Sequence, residues 1–216
     1  MPARSKLSTA VSMPTATMDR QPSRPDTEPA PVIRVGLDAE ALSGPEWYEP
    51  MSRLAICFGY GTEAAPRYIE VVRRTPGVFR KKDLKAISAV VCAKGVVIIA
   101  HNANYDLDLL NGVLLDHDLP PLKSAGIRYQ DTMNTFKRGM AFRNTLKARC
   151  AHEGIQLKSG APDWRAVLQR KPEAWAEMRA YNENDVICTL QLERAYAAKG
   201  LNVPVKTWYP RKGGRP

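Results

Sequence analysis

The run Val96-Val97-Ile98-Ile99-Ala100 constrains the fold more than any other stretch of the chain. Five consecutive apolar residues are too few for a helix and fit a strand buried on both faces. A strand buried on both faces needs a layer on each side, and that argues for an α/β protein. His101-Asn102-Ala103-Asn104 follows, and Asn102 or Asn104 can cap the helix that comes next. That helix carries Leu107, Leu110, Val113 and Leu114 on its apolar face. Asp106 falls on the same face, where an uncompensated charge is costly.

The neighbouring segments supply the rest of the sheet. Ile33, Val35, Leu37 and Ala39 alternate with Arg34, Gly36, Asp38 and Glu40, the period of a half-buried strand. Residues 53–60 and 67–72 read as two further strands, and their close spacing predicts an antiparallel meander. A helix opened by Arg80-Lys81-Lys82 is expected to run through Lys85 to about Ala93, and a short strand from Ile127 to Gln130 leads into Asp131-Thr132. Helices are expected over 131–138, 144–153 and 163–169. A long one should start near Pro172 and end near Lys199, before Gly200. The expected fold is a mixed sheet of about five strands, meander plus parallel strands, flanked by helices.

Acids stand where these patterns call for apolar side chains. Asp38 and Glu40 project side by side from the end of the first strand. Asp106 sits just past the carboxyl end of the apolar strand. On the long helix, Ala174, Met178, Tyr181, Asp185, Cys188 and Leu192 recur at spacings of four and three, so Asp185 lies in the middle of one face. Carboxylates converging at the carboxyl ends of strands repel one another and need cations. Hard oxygen ligands select Mg²⁺ or Mn²⁺ over zinc. Blander roles stand beside this one: Asp106 as a first-turn helix acid, Asp185 paired with Arg149 or Arg179, and Tyr181 as core packing.

The formal charge of +10, with a pI near 9.6, favours a polyanionic partner, most simply nucleic acid. Arg73, Arg74, Arg80, Lys81, Lys82 and Lys85 are dense enough for a phosphate track, although such runs are usually solvated faces. Cys57, Cys92, Cys150 and Cys188 are scattered without zinc spacing, which suits free thiols in a reducing, cytoplasmic compartment (a host's, if the source is viral). No apolar run approaches the length of a bilayer span. Residues 1–31 are rich in Ser, Thr and Pro and read as a disordered tail, 32–200 as the folded domain, and 201–216 as a basic tail. Trp208 and Tyr209 in that tail suit stacking on bases or packing down on the domain.

Taken together, Asp38-x-Glu40, His101-Asn102-x-x-Tyr105-Asp106 and Tyr181-x-x-x-Asp185 resemble the three exonuclease motifs of the DnaQ-like 3′–5′ exonucleases. Tyrosine four residues before the last aspartate matches their DEDDy branch. The segments around Asp131-Thr132 and Tyr181-Asn182-Glu183-Asn184-Asp185-Val186 look most like the predicted ribonuclease H-like exonucleases. The resemblance spans about residues 32 to 198 and implies a ribonuclease H-like fold. It also implies a two-metal phosphodiester hydrolase using Mg²⁺ or Mn²⁺. By it, Asp38 would bridge both metals, Glu40 and Asp185 would complete one site and Asp106 the other. Tyr181 would orient the attacking water. Ala41-Leu42 departs from the threonine often found after the glutamate, which touches the terminal-base pocket and not the metal ligands.

The expected activity is thus hydrolysis at the free 3′ end of a nucleic acid, DNA favoured over RNA. It would act in replication or repair, with a DNA polymerase or other replication protein served in trans. Two alternatives stay open: a non-catalytic nucleic-acid-binding replisome subunit on the same fold, and a structure-selective endonuclease. His101 is read as a structural cap, and Asn102 as a substrate contact.

Overall fold

The computed structural model describes residues 32–41, 55–71, 78–122, 125–133, 144–157 and 160–210. Arg73, Arg74, the tail 1–31 and most of the helix expected over 131–138 lie outside them. Six strands form one sheet: β1 Ile33–Ala41, β2 Ala55–Thr62, β3 Ala65–Glu70, β4 Val96–Ala100, β5 Ile127–Asp131 and β6 Lys206–Trp208. Their order is β3-β2-β1-β4-β5-β6. The meander β1-β2-β3 is antiparallel, β4 runs parallel to both β1 and β5, and β6 closes the far edge antiparallel to β5. Five helices accompany it among the described residues: α1 Lys81–Val91, α2 Ala103–Asp116, α3 Leu146–His152, α4 Trp164–Leu168 and α5 Pro172–Ala198.

The period of two sorts the sheet into two faces. Val35, Leu37 and Ala39 join Phe58, Tyr60, Ile98 and Ala100 under α1 and α2, where Leu84, Ile87, Leu107 and Leu110 fill the layer. On the other face Val97 and Ile99 meet Val186 and Leu190 of α5. All five residues of β4 are buried, as its unbroken apolar run requires. Asp38 and Glu40 belong to the α5 face.

Two glycines set how closely α5 lies on that face. A Cβ at Gly36 would stand 2.7 Å from Val186 Cγ1, and one at Gly59 would stand 2.5 Å from Asn182 Oδ1. A side chain at either position would lift the helix, and with it Asp185, off the sheet. The helix is also buried more broadly than a single stripe predicts: Asn182, Val186, Thr189, Leu190 and Glu193 are inside with Met178, Asp185, Cys188 and Leu192. An apolar stripe marks one flank, whereas this helix packs across β1, β2, β3 and β4.

The sixth strand lies inside the segment 201–216, expected as a basic tail. Lys-Thr-Trp has too few residues and too little apolar alternation to announce a strand. Tertiary contacts make it one. Trp208 is buried and its Nε1 donates to Asp108 Oδ1 at 3.0 Å. Gln130 Nε2 donates to the Val203 carbonyl at 2.5 Å. Of the two roles weighed for Trp208, packing down is the one found, while Tyr209 stays exposed.

Candidate metal centre

The site exists because β1 outruns its neighbour. The parallel register of β1 with β4 ends at Gly36 and Ile99, so Asp38, Ala39 and Glu40 extend past the end of β4. On the other side β1 remains paired with β2, Asp38 opposite Gly59 and Glu40 opposite Cys57. The Ala39 N–H, left without a β4 carbonyl, donates to Asp106 Oδ1 at 3.0 Å. Asp106 is therefore a first-turn acid of α2, as one of the blander roles held, but its carboxyl is aimed at the backbone between Asp38 and Glu40.

Asp185 comes down from α5 on the opposite layer. Ligand oxygens of Asp38, Glu40 and Asp185 all lie within 4.8 Å of one another, close enough to hold one cation. Asp106 is buried beside this triad and shares its electrostatics. Burial raises the Asp38 carboxyl well above the carboxylate range, and Glu40, Asp185 and Asp106 add repulsion. Burial likewise raises Asp106, opposed by the Ala39 N–H and reinforced by Glu40. Glu40 is pushed up to about 7 by burial and then by Asp185. Asp185 is pushed up to about 6 by burial, against a hydrogen bond from Tyr181. Among the described residues no lysine, arginine or histidine forms an ion pair with any of the four. The arginines offered as partners for Asp185 are engaged elsewhere. Arg149 donates through Nε and Nη2 to Asn144 Oδ1 at 2.8 and 2.6 Å, and Arg179 lies 5.0 Å over the Tyr68 ring. Four crowded oxygen donors with no counter-charge among the described residues suit a hard divalent cation.

Tyr181 stands one turn before Asp185 and is half-buried. Burial and the Asp185, Glu40 and Asp38 charges raise its hydroxyl far above the ordinary phenol value, so it stays protonated and donates to Asp185. A second phenol stands nearby. Burial together with Asp106, Glu40 and Asp38 pushes the Tyr105 hydroxyl up to about 12.

Sequence reasoning missed Asn182. It is fully buried, and its Nδ2 donates to Asp38 Oδ2 at 2.5 Å. The signal was present: an amide three residues before Asp185, on the core side of a helix, is as anomalous as the acid itself. It was masked by Tyr181 next to it, which carried the family motif.

His101 does not cap a helix. Its Nδ1 meets Thr132 Oγ1 at 2.9 Å and its Nε2 meets the Asn144 carbonyl at 3.0 Å, joining the ends of β4 and β5 to residue 144. Burial lowers its pKa. The cap position of α2 belongs to Asn102, which is left-handed (φ 87°, ψ 48°) and makes no side-chain cap bond. Its own N–H is held from β5, by Asp131 Oδ1 at 3.0 Å.

Arg80, Lys81, Lys82 and Lys85 cluster at the start of α1, with Lys81 Nζ 3.8 Å from Asp118. Phe79 packs on Phe58 at 5.5 Å, and Phe58 is the register partner of Ala39. The cations therefore begin level with the acid pair but under the opposite face of the sheet, not at the triad.

The fold is ribonuclease H-like: a mixed six-stranded sheet flanked by helices, with an acid triad where β1 runs past the end of β4 under α5. Among solved structures the chain is similar to the family B DNA polymerase from the hyperthermophilic archaeon Pyrobaculum calidifontis. The TM-score is 0.62 and the identity 15%, over 80% of this chain and 25% of that one. The chain thus spans a quarter of that polymerase. It is also similar to Brucella melitensis NrnC with bound Mg²⁺, at a TM-score of 0.48 and 15% identity, over 79% of this chain and 76% of that one. No protein-family model matches the chain, and no curated protein matches it.

Proposed function

We propose that the protein is a metal-dependent 3′–5′ exonuclease of the DnaQ-like, DEDDy type, acting on nucleic acid with a free 3′ end and favouring DNA. The observation that carries this reading is the triad. Three carboxylates from two layers meet within 4.8 Å, and no cationic side chain among the described residues neutralises them. Natural cores avoid such a cluster unless a ligand compensates it.

Asp38 and Glu40 would hold Mg²⁺ or Mn²⁺ together with Asp185, and Asp106 would serve a second ion. Two such ions, when bound, supply an activated water and a stabilised leaving oxygen for phosphodiester hydrolysis. The chain's own residues do the positioning. Asn182 fixes the rotamer of Asp38. Tyr181 keeps its proton, so it orients the attacking water and does not act as a base. Asn102, at the mouth of α2, is a candidate contact for the terminal nucleotide. Arg80, Lys81 and Lys82, with Arg73 and Arg74, would take phosphates away from the reacting bond. Service to a polymerase in trans, in a cytoplasmic compartment, belongs to the same proposal. No helix of the described residues is long and apolar enough to cross a membrane.

The test is purified protein, stripped with EDTA and resupplied with Mg²⁺ or Mn²⁺, on 5′-labelled single-stranded DNA, duplex DNA and RNA. A ladder shortening from the 3′ end, absent in EDTA and in Asp185→Asn, is expected. Internal fragments would replace this reading with the endonuclease, and binding without cleavage would replace it with the non-catalytic subunit.

A further inference from the structure

Asp131 takes no part in the triad, yet it is almost fully buried at the end of β5. One oxygen, Oδ1, accepts two backbone N–H groups, Asn102 and Met133, each at 3.0 Å. Asn102 is no ordinary acceptor of such help. Helix N-caps are normally extended, and a left-handed residue is uncommon even for asparagine, which tolerates it better than most non-glycine residues. The residues before it are tied separately. Thr132 N–H and Oγ1 donate to the Ala100 carbonyl at 3.0 and 3.2 Å, and His101 is bound by Thr132 and Asn144. Among the described residues, the amide of the left-handed residue itself is held by Asp131.

That residue is where the chain turns from β4 into α2. The turn sets the direction of the helix, and Asp106 is four residues further on. Its carboxyl must reach the Ala39 N–H on β1 to stand between Asp38 and Glu40. If Asn102 relaxed to an ordinary cap conformation, α2 would leave the sheet at another angle and Asp106 would lose that reach.

We propose that Asp131 is a positioning residue: by fixing Asn102 in its left-handed turn it aims α2, and so places Asp106 on β1 beside the acid triad. The consequence for catalysis rests on the exonuclease reading, but the placement itself does not.

The experiment follows amide hydrogen exchange and turnover in the full chain, for native protein, Asp131→Ala, Asp131→Asn and Asp131→Glu. Asparagine keeps an oxygen at the same distance and should stay close to native. Alanine removes the acceptor, and glutamate carries it a methylene too far. In both of those, protection should fall about tenfold or more at Asn102 and also at Ala39, which Asp131 does not touch, while Ile98 keeps its protection. Turnover should fall about 10- to 100-fold with KM little changed, the scale of lost outer-shell support. Loss of protection at Asn102 and Met133 with Ala39 unchanged would overturn the proposal, because Asp131 would then close only its own turn. If Asp131→Ala does not fold, the Asn and Glu pair decides, and glutamate closer to native than asparagine overturns it. Native protein without nuclease activity would defeat the exonuclease reading, and the Ala39 exchange would still decide the placement.

Discussion

A metal-free form of this protein should become more stable as the solution is made more acidic, the reverse of ordinary acid denaturation. A carboxyl whose folded-state pKa is raised keeps its proton in the folded protein over a range where the unfolded chain has lost it. Its stabilisation is complete below the unfolded value and is lost as pH rises through the folded one. Glu40 is pushed up to about 7 from an ordinary 4.5, and Asp185 up to about 6 from 3.8. At about 1.4 kcal/mol per pKa unit, each is worth about 3 kcal/mol across its full window. They are raised partly by one repulsion, so the pair is counted once. Between pH 5 and pH 8 the loss should be about 2–4 kcal/mol, or roughly 5–15 °C in melting temperature for a domain of this size. Calorimetry in EDTA at the two pH values reads it directly. The chain's charge of +10 grows on acidification and works against the effect, so Asp185→Asn serves as the reference. The native protein should lose several degrees more than the variant on going from pH 5 to pH 8. Saturating Mg²⁺ should cancel or invert the difference, because it binds the ionised carboxylates. Parallel melting curves for native and variant protein across that range would refute the reasoning.

Asp38→Asn should abolish cleavage yet melt no lower than native in EDTA, since a neutral amide suits a site where burial disfavours the charged carboxylate, and an oxygen remains for Asn182; clear destabilisation would mean a structural carboxylate. Tyr181→Phe should fold and bind Mg²⁺ as native does but turn over roughly 10- to 1000-fold slower; native turnover at saturating Mg²⁺ would leave Tyr181 as packing. Gly59→Ala should lower stability by about 1–3 kcal/mol through overpacking and weaken Mn²⁺ binding measured by titration calorimetry. Its Cβ would meet Asn182 Oδ1 at 2.5 Å and the Asn182 carbonyl at 3.0 Å. Neutralising Lys81 and Lys82 should flatten the salt dependence of DNA binding by about one to two units of slope while leaving the cleavage pattern alone; an unchanged slope would make the first turn of α1 a solubility face.

The layered fold was legible because its elements carry strong local periods. The unbroken run of β4, the alternation of β1 and the Pro172 start of α5 each announce themselves over a few residues. The triad was legible from local pattern too: Asp185 interrupts the apolar stripe of its helix, and Asp38 and Glu40 set two like charges side by side on one face of a strand. What the chain hid was whatever depends on two distant segments meeting. The sequence 206–208 carries no strand signal, and it is a strand because β5 offers an edge and Asp108 offers Trp208 an acceptor. Asn102 looks like any cap residue until its φ is known.

The glycines and Asn182 show how the two kinds of information combine at the site. Gly36 and Gly59 sit in strands, where glycine is locally unfavourable. Asn182 sits inside a helix, where a buried amide is unfavourable unless bonded. Each is a local fault, and one contact offsets all three, although Asn182 Oδ1 has no hydrogen-bond partner among the described residues. Without side chains at 36 and 59 the helix comes down far enough for Val186 to touch β1 and for Asn182 to reach Asp38. The same descent brings Asp185 to the two strand carboxylates, an approach that repulsion opposes. Packing of Val186 and Leu190 on Val97 and Ile99 has to hold the helix down against that repulsion in the absence of metal. The apolar half of α5 therefore keeps the acid site assembled, and residues that look purely structural are part of what prepares it for a cation.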